Sequence, residues 1–229
     1  MQDLTPTFFP MSEANPHLPQ PLARRGCALE GARVAAVMVH GRGRDTDDIL
    51  GIADRLDVDD VAYLAPAAFE NSWYPSRFMD ALELNQPRLD QALECVHALV
   101  SGMLLKSFAA AQIVLLGFSQ GGCLITEYAV RNAQRYGGII AFTGGLIGPP
   151  GTRWNFQGGF DWTPVFLGTS DVDEWVPESR VRETAKVMER MGAAVNLKIY
   201  PGMGHIVDDD EIDEARLIIQ RAVQASVRD

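Results

Sequence analysis

A serine held between glycines at fixed spacing is the first chemically suggestive feature of the chain: Gly117-Phe118-Ser119-Gln120-Gly121-Gly122, a G-x-S-x-G run. It follows an apolar stretch, 112–116, and precedes Cys123-Leu124-Ile125-Thr126-Glu127-Tyr128-Ala129, a good helix former. Strand, tight turn and helix form the setting in which a serine hydroxyl is lifted out of a sheet as a nucleophile. The glycines have a steric purpose, because such a turn strains the serine backbone and neighbouring side chains would collide with it. The helix start then aims backbone N–H groups at the space where an oxyanion develops. The plainer reading of the same run is a Gly-rich β-to-α turn with a capping serine.

A serine hydroxyl is a weak nucleophile at neutral pH, so a base must take its proton, and histidine has a suitable pKa for that task. The chain has four histidines. His17 sits in a proline-rich arm, His97 within a long helical stretch and His40 at the end of the first expected strand. His205 remains, in the glycine-rich loop Tyr200-Pro201-Gly202-Met203-Gly204-His205 after the last expected strand. The third member of such a group orients the imidazole and offsets its charge, in the chain order Ser, acid, His. Asp171, Asp173 and Glu174 follow an apolar run at 165–167. The two aspartates are two residues apart and can share one side of an extended segment, so the residues alone leave the choice open.

The elements that must hold these groups alternate. Strands are expected at 33–39, 61–64, 112–116, 138–142, 165–167 and 197–200. Helices are expected from an Asp47 cap to about Leu56, at 87–106, after Ser119, at 179–191, and from the acidic start 208–211 to about Val227. This alternation predicts an α/β fold with a mostly parallel central sheet and helices on both faces. Ligands bind beyond the C-terminal strand ends of such sheets, where Ser119, the aspartates and His205 all fall. Residues 1–25, with Pro6, Pro10, Pro16, Pro19 and Pro21, are expected to form an irregular, extended proline-rich lead-in, and 26–229 a single domain.

Composition limits the function classes. With 229 residues, 47% of them hydrophobic, one core is expected to hold the fold without disulfides or a structural metal. Cys27, Cys95 and Cys123 are odd in number and far apart, which fits reduced thiols. A net charge of −10, with no basic run longer than Arg24-Arg25, argues against nucleic acid or stable membrane association. No signal peptide pattern or apolar run of spanning length is visible, so a cytoplasmic location is expected. The acidic clusters Asp45, Asp47, Asp48 and 208–211 lack the alternate oxygen ligands of a calcium loop and read as helix-start charge. No zinc spacing or phosphate-binding glycine fingerprint occurs, and no metal or cofactor is expected.

The chain resembles the carboxylesterase/phospholipase family of α/β-hydrolases, the group with acyl-protein thioesterase-like and small bacterial esterase members. The matching stretches are His40-Gly41-Arg42-Gly43, Ser72-Trp73-Tyr74-Pro75, the Ser119 run, Asp173-Glu174-Trp175-Val176-Pro177 and Gly202-Met203-Gly204-His205. They cover nearly the whole chain after the lead-in. The resemblance implies an α/β-hydrolase fold without a separate cap domain and a catalytic group of Ser119, Asp173 and His205. Asp173 is selected because it alone fits the family's D-x-x-V-P pattern, although Glu174 replaces the usual proline. The resemblance also implies an oxyanion hole built from the backbone N–H groups of Arg42 and Gln120, with His40 as a structural brace.

The implied function is a serine carboxylesterase acting on small, short-acyl esters through an acyl-enzyme. A lysophospholipase or acyl-protein thioesterase is the alternative, and a non-catalytic small-ligand binder of the same fold is a second. The expected partner is a small-molecule ester, with room left for a homodimer. Trp73, Tyr74, Trp175 and Leu146 are expected to wall the pocket, together with the aromatic loop 146–162.

Overall fold

The strands Val34–Val39, Ile113–Phe118 and Gly138–Phe142 have no exposed residue, because each is covered on both faces. Alternate side chains serve different cores. Ala35, Val37, Val39, Leu115, Ile139 and Leu167 join one, and Val34, Ala36, Met38, Leu116, Ile140 and Phe166 join the other. The computed structural model describes residues 14–226. Its strands are β1 (Leu22–Gly26), β2 (Val34–Val39), β3 (Val61–Pro66), β4 (Ile113–Phe118), β5 (Gly138–Phe142), β6 (Pro164–Ser170) and β7 (Ala194–Tyr200). They form one seven-stranded sheet in the order β1-β3-β2-β4-β5-β6-β7, parallel except for β1. The helices are α1 (Thr46–Leu56), α2 (Arg88–Leu105), α3 (Gln120–Arg131), α4 (Glu178–Arg190) and α5 (Asp209–Ala225). Residues of α1 and α5 fill the core on one face of the sheet, and residues of α2, α3 and α4 fill the other. This is the expected α/β-hydrolase fold.

The lead-in differs from expectation. Its last residues are not irregular, since Leu22–Gly26 pairs antiparallel with β3 from Leu22↔Pro66 to Gly26↔Ala62. An edge strand tolerates Arg24, Arg25 and a preceding proline, so neither its composition nor its periodicity announced it. A Cβ on Gly26, whose φ is +77°, would lie 2.2 Å from the Val61 carbonyl oxygen, which ties this turn to glycine. Residues 1–13, with Pro6 and Pro10, and residues 227–229 lie outside the described part. The cap of α1 also moves: Asp45, not Asp47, accepts from the Asp47 and Asp48 amides.

Two buried ionisable side chains hold the chain near the strand ends. Arg180 on α4 is 1% exposed and donates through Nη1 to the carbonyls of Leu146 and Gly148, at 2.8 and 2.7 Å. Its guanidinium also lies 5.0 Å from the Trp154 ring centre. Arg180→Met keeps the volume but strands buried carbonyls. We expect a loss of about 2–4 kcal/mol in urea unfolding, with little change in m value.

Glu211 closes a capping box at the start of α5. It accepts from the Asp208 amide through Oε2, and its own amide donates to Asp208. Its Oε1 is buried without a partner among the described residues. Burial raises its pKa from 4.5 to about 8. A carboxyl that binds its proton more tightly folded than unfolded contributes full stability below about pH 4. That contribution is lost as pH rises to about 8, because the unfolded chain deprotonates first. Glutamine also serves at this capping position but does not ionise. Glu211→Gln is therefore expected to gain about 2–4 kcal/mol over the parent between pH 5 and pH 9, read from paired denaturation curves.

Candidate active site

Ser119 follows β4 directly and stands at the N-terminus of α3 with φ 55° and ψ −119°, a conformation that costs a non-glycine residue about 1–3 kcal/mol. Its surroundings enforce the turn. A Cβ on Gly117 would sit 2.4 Å from the Gly121 carbonyl oxygen, and one on Gly121 would sit 2.0 Å from that of Val39. The turn is held by the Ser119 amide donating to Phe142 O and the Cys123 amide donating to Ser119 O, each at 2.9 Å.

Loops after β6 and β7 bring the other two groups to this serine. The Ser119 hydroxyl lies 2.8 Å from His205 Nε2, and His205 Nδ1 lies 2.6 Å from Asp173 Oδ2. The network assigns the ring proton to Nδ1 and leaves Nε2 as acceptor. The Asp173 side chain is 0% exposed. Burial opposes its charge. The hydrogen bond from His205 and the Val176 and Trp175 amides, both 2.8 Å from Oδ1, outweigh it and hold the carboxyl below the usual range. A lowered value contributes stability above the ordinary carboxylate range and loses it as pH falls through the folded value. Asp171 does something else: its Oδ1 accepts from the Gly202 amide at 2.8 Å, bracing the loop that carries His205.

The remaining histidines stand apart from Ser119. His17 accepts from the Phe69 amide and stacks on Trp73, and burial, with Arg88 adding to it, lowers its pKa to about 4. His97 pairs with Tyr128 and Ser101. His40 bonds the Gly41 carbonyl through Nδ1 and accepts from the Ala68 amide through Nε2. That pattern fits a neutral ring, and burial lowers its pKa. His40 thus braces the loop after β2.

That loop lies against the serine, with the Gly41 Cβ position 3.3 Å from Ser119 Cβ. Arg42 follows Gly41, and its amide has no backbone acceptor among the described residues. Gln120 is the first residue of α3, where an N–H has no intrahelical partner. Neither amide donates to a backbone carbonyl among the described residues. The Gln120 side chain is spent elsewhere: Oε1 accepts from the Trp73 amide at 3.0 Å and Nε2 donates to Tyr74 O at 2.8 Å. This bond joins the nucleophile turn to the Ser72-Trp73-Tyr74-Pro75 segment.

A cavity of about 780 Å³ opens over Ser119 and His205. Tyr74 and Trp175 line it, but Trp73 and Leu146 do not. Trp73 is fully buried and donates from Nε1 to the His40 carbonyl at 2.9 Å. Leu146 is also fully buried, with its amide bonded to Thr184 and its carbonyl to Arg180. No residue of the loop 146–162 lines the cavity. Trp154 packs over Arg180, Phe160 enters the core, and Trp162 points to solvent. Among the described residues no group of three or more His, Cys, Asp or Glu side chains converges.

A family model described as Phospholipase/Carboxylesterase matches residues 31–222. The chain belongs to this family. A phospholipase/carboxylesterase from Dyadobacter fermentans DSM 18053, known from its crystal structure, is 44% identical with a TM-score of 0.84, covering 88% of this chain and 96% of that one. Acyl-protein thioesterase 1 of Gibberella zeae is 29% identical over 55% of this chain, and that of Saccharomyces cerevisiae is 26% identical over 71%. The match spans about half the length of the first, 54%, and 71% of the second.

Within this phospholipase/carboxylesterase family member, sequence reasoning missed three contributors to the site. The sequence gives no sign that the Gln120 side chain bridges two loops, and while it allows one of the two aspartates to cap a turn, it does not say that Asp171 braces the His205 loop. The third is a set of arginines, Arg42, Arg44 and Arg77, all on the cavity wall. Arg77 sits two residues after the Trp-Tyr-Pro segment, a proximity that was the available signal.

Proposed function

We propose that this phospholipase/carboxylesterase family member is a serine carboxylesterase for small, short-acyl esters. The observation that carries the reading is the unbroken relay from Ser119 through His205 to buried Asp173, beneath an open cavity. Ser119 Oγ attacks the ester carbonyl while His205 Nε2 takes its proton, and Asp173 stabilises the resulting imidazolium. The Arg42 and Gln120 amides receive the oxyanion, a contribution of about 3–4 kcal/mol for each donor. His205 returns the proton to the leaving alcohol. Water, activated by the same imidazole, then releases the acid and restores Ser119.

The cavity wall supports short acyl groups, because Arg42, Arg44, Ser76, Arg77 and Asp80 interrupt any long apolar track. Acyl-protein thioesterase activity is the second reading. It is favoured by the names of the fungal relatives and by exposed Val172, Trp175 and Ile206, which flank Asp173 and His205 in sequence. A series of 4-nitrophenyl esters from acetate to palmitate, with matched acyl thioesters, separates the two. The esterase reading expects kcat/KM to peak at two to six acyl carbons, at about 10⁴ M⁻¹s⁻¹ or more. A peak at palmitate, or a preference for long-chain thioesters, selects the thioesterase.

A further inference from the structure

The chain carries a net charge of −10, yet among the described residues three arginines and only one carboxylate line the cavity over Ser119. That carboxylate, Asp80, accepts from the Arg77 amide through Oδ2 at 2.9 Å and keeps its charge, so arginines outnumber carboxylates on the wall three to one. Arg44 is compensated by Asp48 at 3.1 Å. Arg42 and Arg77 form no ion pair among the described residues. Arg42 donates both Nη groups to the Pro75 and Ser76 carbonyls, which fixes its direction without neutralising it. Its guanidinium lies 5.8 Å from the Tyr74 ring centre. Arg77 lies 5.7 Å from the ring centre of Trp175, an indole 59% exposed on the loop that supplies Asp173. Two cations without an ion-pair partner among the described residues are therefore placed near aromatic rings on the wall of the reaction cavity.

From this geometry we infer that the enzyme selects esters bearing a second, anionic group, which Arg77 and Arg42 bind while the ester carbonyl meets Ser119. The inference rests on the esterase reading and narrows its substrate class. An acidic protein repels an anion at long range, so recognition must come from local guanidinium groups, whose planar donors fit a carboxylate or phosphate. A neutral ester gains nothing from these two charges. The class of substrate is a half-ester or an acylated hydroxy acid, with carboxylate and phosphate as the two forms of the anion.

The test compares matched ester pairs. One is mono-4-nitrophenyl adipate against 4-nitrophenyl hexanoate, with the charge on the acyl side. The other is 4-acetoxybenzoate against its methyl ester, with the charge on the leaving group, and 4-acetoxyphenyl phosphate supplies the phosphate arm. We expect the charged member of at least one pair to exceed its neutral partner about tenfold in kcat/KM at low salt. That ratio should shrink in 0.5 M NaCl, where screening acts within about 4–5 Å. It should fall at least fivefold in Arg77→Met and recover in Arg77→Lys. The Arg77 side chain makes no hydrogen bond within the described structure, so thermal melts of these variants are expected to match the parent.

A ratio at or below one for every charged ester, or a ratio that Arg77→Met leaves unchanged, overturns the inference while the neutral esters still report the esterase. If no ester is turned over, the esterase reading itself fails. Anion binding is then read separately by calorimetry with adipate and with inorganic phosphate. Binding that weakens at least fivefold in Arg77→Met sustains the anion site, and equal or absent binding removes it.

Discussion

Ser119→Ala is expected to lower kcat toward a short-chain aryl ester about a million-fold, with the fold unchanged. The size follows from the way the three groups act as a unit: without the hydroxyl there is no acyl-enzyme, so His205 and Asp173 have nothing to activate. A residual rate about 10³–10⁴-fold above the uncatalysed reaction should survive, because the cavity and the Arg42 and Gln120 amides remain. Alanine keeps the same Cβ at φ 55° and removes only an oxygen whose partner is His205. Unfolding free energy should therefore move by no more than about 0.5 kcal/mol. Steady-state kinetics with a chromogenic ester, beside thermal melts of the same samples, checks both halves. Activity within tenfold of the parent contradicts the assignment of Ser119.

Asp173→Asn should cost about 10⁴-fold in kcat, while Asp171→Ala stays within about tenfold of the parent. The asparagine oxygen can still accept from the Trp175 and Val176 amides, as Asp173 Oδ1 does at 2.8 Å, so the loop keeps its shape. What then faces His205 Nδ1 is an NH₂ group. It demands an acceptor there and drives the ring proton to Nε2, which can no longer take the Ser119 proton. Asp171 holds only the Gly202 amide, and its loss loosens the His205 loop without altering the tautomer. Parallel kinetics on the two variants decide between the aspartates. Near-parental turnover in Asp173→Asn with collapse in Asp171→Ala would reverse their roles.

What the sequence reveals about this site depends on how local the signal is. Ser119 was legible because the strand, the turn and the helix that strain it lie within about twenty residues, and the glycines are there for contacts as close as 2.0 Å. His205 emerged by elimination among four histidines, and the other three prove to be bonded elsewhere. Asp173 needed the family pattern, because alternation alone allows Asp171 the same face. Trp73 and Leu146 were expected at the pocket because an apolar residue in a loop carries no sign of which way it points. One ended under His40 and the other under Arg180. The strand Leu22–Gly26 stayed hidden because an edge position removes the demand for apolar alternation. Arg42 and Arg77 are 35 residues apart in the chain, and only the pairing of the loops after β2 and β3 brings both to the cavity.

Treating the native protein with a fluorophosphonate, followed by intact mass and peptide mapping, asks whether Ser119 is a nucleophile activated by the fold. One adduct per chain is expected, on Ser119, with at least a thousandfold slower labelling in His205→Ala and in protein unfolded by denaturant. An unlabelled native protein, or an adduct on any other residue with Ser119 untouched, would contradict it.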